Sequence, residues 1–105
     1  MTQNDVESRL HAVTNSLVNE LISLTPETMS EIRFEIVCTQ DGGADIGLLE
    51  NHPDARKVSL SATMYDCAAR YLPLVKQYLA EWRRSLIVLR KSKEGWHVSV
   101  DFERT

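Results

Sequence analysis

The chain is poor in the residue types that staple, punctuate or chemically arm a small fold. It has two cysteines, four glycines, three prolines and three histidines in 105 residues. Two cysteines rule out a disulfide framework of several bridges, and Cys38 and Cys67 are not spaced like metal ligands. With no secretory leader, they read as small apolar residues in a reducing setting. The few glycines exclude a phosphate cradle: Gly42-Gly43 followed by Gly47 lacks the lysine and the strand-loop-helix setting of a P-loop. His11, His52 and His97 fall in three separate elements without metal-binding spacing, so no metal or other cofactor is expected.

Strong charge is missing too. A net charge of -3 and a pI near 5.6 disfavour nucleic-acid binding through a basic face. No stretch approaches the ~20 apolar residues of a membrane span. The polar start Met1-Thr2-Gln3-Asn4-Asp5 lacks the basic and apolar regions of a signal peptide, which makes the cytoplasm the expected address. A hydrophobic share of 43% over this length fits one globular domain across 1–105.

What is present is a sequence of periodic patterns. Between Asp5 and Leu24, Val6, Leu10, Val13, Leu17, Leu21 and Leu24 make one helical stripe, closed by Thr25-Pro26. In Glu31 to Cys38, Ile32, Phe34, Ile36 and Cys38 alternate with Glu31, Arg33 and Glu35, as in a strand with one wet face. Asp41-Gly42-Gly43 marks a turn, and Ala44 to Glu50 a returning strand. A loop centred on His52-Pro53-Asp54 follows, and Val58-Ser59-Leu60 is a candidate short third strand.

Thr63 to Trp82 returns to helical spacing. Pro73 inside it predicts two consecutive helices, the second opening near the proline, with a single kinked helix as the alternative. Leu86 to Leu89 and Trp96 to Phe102 flank the turn Lys93-Glu94-Gly95 and form a second hairpin. The expected fold is α+β: an antiparallel sheet of four to five strands with helices on one face, in the order α-β-β-(β)-α-α-β-β. No internal repeat is visible in the residues themselves.

No catalytic constellation emerges. A nucleophile needs an adjacent base, and nothing in the spacing joins Cys67 to His97. His97 and Asp101 lie two pleats apart, ~13 Å, too far for a direct hydrogen bond. Arg83-Arg84 and Arg90-Lys91-Ser92-Lys93 mark the two ends of one strand and read as a solubilising edge. The acidic positions are the candidate partner-binding residues. Asp41, Asp45, Glu50 and Asp54 follow one hairpin and its loop, and Glu31, Glu35, Asp101 and Glu103 fall on the polar sheet face. Acids so gathered steer a basic partner.

In order and spacing the chain resembles the YezG-like immunity proteins. The residues that carry the likeness are Leu24-Thr25-Pro26-Glu27 closing the first helix, then Ile32-Arg33-Phe34-Glu35-Ile36 and a glycine turn. A helix running toward Trp82 ahead of Leu86-Ile87-Val88-Leu89, and a closing Trp96-His97-Val98-Ser99-Val100-Asp101-Phe102, complete it. The resemblance implies a cytoplasmic bacterial antitoxin of polymorphic or contact-dependent growth-inhibition systems. Such a protein is not an enzyme; it binds a cognate toxin domain, in many cases a nuclease, and occludes it stoichiometrically. Acids on the chain would then stand in for nucleic-acid phosphates. The alternative from another class is a small acidic secretion chaperone holding an effector segment as a dimer. The sequence admits either a monomer or a homodimer.

Overall fold

The computed structural model describes residues 3–49 and 58–105. Among these residues, two helices and four strands run in the order α1 (Gln3–Leu24), β1 (Glu31–Cys38), β2 (Ala44–Leu49), α2 (Ala62–Tyr78), β3 (Trp82–Ser92) and β4 (Gly95–Arg104). The strands form one antiparallel sheet ordered β2-β1-β3-β4, and both helices lie on one of its faces. The chain is therefore α+β, as its periodicities require. It consists of two α-β-β halves joined along a β1–β3 seam.

The core grows from the apolar stripes. Val6, Leu10, Val13, Leu17 and Leu21 of α1 are buried, and all but Val6 share one core with Ile32, Phe34 and Ile36 of β1. Leu24 departs from the expected stripe: at the end of the helix it is 37% exposed, while Val18 takes a buried place instead. Thr25 then closes α1 by donating its hydroxyl to the Leu21 carbonyl at 2.6 Å. A turn from Pro26 brings Met29 fully into the core.

The second helix corrects two expectations. It starts at Ala62 because Ser61 caps it, its hydroxyl accepting the Met64 N–H at 3.2 Å and donating to Glu20 of α1 at 3.0 Å. It then runs unbroken through Pro73 to Tyr78, a single helix where two were expected. The reason lies in the side the proline faces. Pro73 and Ala69, whose carbonyl loses its partner, are both exposed, so water can satisfy that carbonyl. On the opposite side Cys67, Ala68, Tyr71 and Val75 form one buried stripe across the proline, which a break would misalign.

The helical pattern reaching Trp82 also ends early. Leu79 caps α2 through its N–H to the Val75 carbonyl at 2.9 Å, Glu81 turns the chain with φ of 62°, and Trp82 opens β3. Val58-Ser59-Leu60 adds no strand; Val58 enters the core from an irregular segment. Strand β3, read as a solubilising edge, is interior, bonded to β1 on one side and β4 on the other. Arg84 and Arg90 serve cross-strand pairing. Among the described residues no helix is long and apolar enough to cross a membrane.

One polar knot lies in the core. The Ser85 hydroxyl, fully buried, meets the Tyr71 hydroxyl at 2.6 Å and accepts the Trp82 indole N–H at 2.9 Å. The Tyr71 and Trp82 rings stand edge-on at 6.2 Å. Burial pushes the Tyr71 phenol up to about 12, opposed by its bond to Ser85.

Candidate partner-docking surface

The face of the sheet turned away from the helices is where the charged alternates of every strand meet. Register fixes its rows. Asp45, Val37, Arg84 and Glu103 lie side by side across the four strands, followed by Gly47, Glu35, Leu86 and Asp101. Leu49, Arg33, Val88 and Ser99 form the third row, and Glu31, Arg90 and His97 the fourth. The result is an apolar centre at Leu86 and Val88 framed by charge.

Five of the eight sequence-picked acids stand on this face: Glu31, Glu35, Asp45, Asp101 and Glu103. Asp41 sits beside it at the β1–β2 turn, while Glu50 and Asp54 lie outside the described residues. Alternation had already placed Glu31, Glu35, Asp101 and Glu103 together. It placed Arg33 there as well, and missed Arg84 and Arg90 of β3 between them.

Arg84 bridges the seam, its Nε at 2.8 Å from Glu35 and its Nη1 at 3.0 Å from Glu103. The Glu35 hydrogen bond, more than charge attraction, raises the guanidinium above its ordinary value. Glu31 takes the Arg33 Nε at 3.0 Å and the Arg90 Nε at 3.4 Å. The Arg33 hydrogen bond leads in holding the Glu31 carboxyl below its ordinary range, helped by the nearby charges of Arg90 and Arg33. Opposite charges on adjacent strands carry the signal that would have found these pairs, but only once the β1–β3 register is known.

Asp41 belongs to the turn. It accepts from the Thr39 hydroxyl and, at 3.2 Å, from the Gly43 N–H, and these bonds hold its carboxyl below the ordinary range. Gly42 takes φ of 86°, which a side chain would strain, and its N–H closes onto the Thr39 carbonyl at 3.1 Å. This acid orders the hairpin and is committed locally.

Asp45 and Asp101 differ from the rest: neither has a basic partner among the described residues. Asp45 and Glu35 line a shallow depression of about 480 Å³ at the end of the β1–β2 hairpin, together with Val37, Thr39 and Gln40. An open depression walled by two carboxylates, one of them unpaired, suits a lysine or arginine presented by another protein. Among the described residues no cluster of three His, Cys, Asp or Glu side chains is placed to hold a metal ion. His97 bonds Ser92 at 2.8 Å, and Cys67 is buried on α2 against the core.

No protein-family model matches this chain, and no curated protein matches it at a significant level. The likeness to YezG-like immunity proteins thus rests on the order and spacing of the residues quoted above.

Proposed function

We propose that this chain is an immunity protein, a binding protein without a reaction of its own that occludes a cognate bacterial toxin domain. The observation that carries the reading is a sheet face that no described residue covers, with Asp45 free beside Glu35 in an open depression. Arg33, Arg84 and Arg90 offset the charges of Glu31, Glu35 and Glu103, which leaves Asp45 as the acid on the hairpin side available to a basic group. A nuclease with a basic substrate cleft fits such a surface, because a carboxylate set among ordered charges takes the place of a phosphate. Ordering the binding face before contact lowers the entropy lost on association.

The test is calorimetric titration of the chain with the toxin domain encoded beside it. Expected is a one-to-one complex that weakens about tenfold in Asp45→Lys, with the loss concentrated at low salt. No binding, or binding indifferent to Asp45→Lys and Glu35→Lys, overturns the reading.

The secretion-chaperone alternative draws on a different observation, the exposed Val98 and Phe102 on the helix side of β4. Preferential capture of an unfolded effector segment over any folded toxin domain decides for it.

A further inference from the structure

Among the described residues the sheet has two free edges, and they are not alike. β2 is six residues long, whereas β4 runs for ten residues without a proline. The irregularity in its pairing falls at Trp82/Arg84, beside the strand's far end, so most of β4 is regular. On its helix-facing side, Val98 is 45% and Phe102 38% exposed, because the helices stop short of covering it. Long regular edges with apolar flanks invite another strand, and from Trp96 to Phe102 that row of β4 carries no charge, proline or bulge.

The backbone alternation identifies the open groups. The Lys91 N–H reaches the Ser30 carbonyl at 2.8 Å on the β1 side of β3. Arg90 therefore turns its backbone groups toward β4, where it faces His97. It follows that His97, Ser99, Asp101 and Glu103 bond β3. Trp96, Val98, Val100 and Phe102 direct their N–H and C=O groups outward, and no other described backbone group takes them.

We infer that β4 is a homodimer edge, pairing antiparallel with β4 of a second copy about a two-fold axis at Ser99. The strand is self-complementary in that register and in neither neighbouring register of the same parity. Val98 falls opposite the partner's Val100, and Trp96 opposite the partner's Phe102, so all four apolar residues meet apolar residues. On the other face His97 falls opposite the partner's Asp101, the acid that lacks a basic partner among the described residues of its own chain. Each contact occurs twice by symmetry. Moving the axis by one residue in either direction sets Trp96 against Arg104 or Phe102 against Glu94. The result is a continuous eight-stranded sheet whose two outer faces merge. This inference does not depend on the toxin reading, since either kind of partner can be met by such a surface.

Sedimentation equilibrium of the full chain across the micromolar range tests it, with amide hydrogen exchange as a second readout. Expected is a mass rising from 12.0 kDa to twice that value. The amides of Val98 and Val100 should gain protection with concentration, while those of Ser99 and Asp101 stay protected throughout. Val98→Pro removes an outward donor and no β3 bond, so it should leave a folded monomer. His97→Asp should raise the dissociation constant about tenfold, and adding Asp101→Lys should restore it. A chain monomeric at every concentration overturns the inference. So does a dimer that survives Val98→Pro, or one in which the Val98 and Val100 amides exchange freely.

Discussion

The two α-β-β halves run in the same order and occupy equivalent places in the sheet, yet they are held by different means. In the first half, Ile32, Phe34 and Ile36 of β1 are fully buried, and among the described residues α1, β1 and β2 contribute no buried polar side chain. Its hairpin is short and closed by a hydrogen-bonded turn at Thr39, Asp41 and Gly43. In the second half, the core is fastened by the Tyr71–Ser85–Trp82 knot, and the hairpin is long with a two-residue turn. The difference teaches that one architecture tolerates two kinds of interior, provided the seam between them is well matched. It also locates the open edge, since only the longer hairpin extends beyond the cover of the helices.

Breaking the first half should cost most. Phe34→Ala empties a fully buried site at the β1–β3 seam and should remove about 3–5 kcal/mol from the unfolding free energy, read by urea titration. The second half should instead reveal itself in alkali. Tyr71 has a folded value raised to about 12 against an ordinary 10.0, so its contribution is complete below pH 10 and is lost as pH rises toward 12. That loss amounts to about 3 kcal/mol, and Tyr71→Phe should flatten this part of the stability profile.

A gain should come from the helix of the second half. Pro73→Ala supplies the N–H that the Ala69 carbonyl lacks, on an exposed face where no buried side chain has to move, and should raise stability by about 2 kcal/mol. A loss in the same urea titration would mean that the proline fixes the path of α2. The smallest effect belongs to the charge bridge that joins the halves. Arg84→Met should cost about 1 kcal/mol or less, since Arg84, Glu35 and Glu103 are all partly open to water. Its measurable sign is a loss of salt sensitivity in the unfolding midpoint.

The elements were legible where one periodicity dominated. α1, β1 and the closing hairpin followed from stripe and alternation, because burial on one side of an element imprints its repeat on the chain. Pro73 misled because local rules count the lost hydrogen bond and not the face on which it is lost. Trp82 matched the helical stripe while belonging to β3, since a residue buried just past a helix end can keep the helix phase by coincidence. β3 looked like an edge because its arginines flank it. Their partners Glu31, Glu35 and Glu103 come from neighbouring strands, and only sheet order reveals them. The acids of the candidate surface were found by their residue type. Which of them stay unpaired was written in the register, which a one-dimensional reading does not contain.

The β1–β3 seam also sets how the chain must find its shape. Each hairpin closes locally, with Ser92 and Gly95 only 3 residues apart, whereas Glu35 meets Arg84 across 49 residues and Glu31 meets Arg90 across 59. Loop-closure entropy therefore makes the seam the late and slow event, after two locally formed hairpins already exist. Newly made chains would pass through a stage in which β1 and β3 each present an unpaired side, and the arginine–glutamate matches along the seam favour their mutual pairing over any other. The same residues that balance the charge of the finished surface thus act earlier as a proofreading code for strand order.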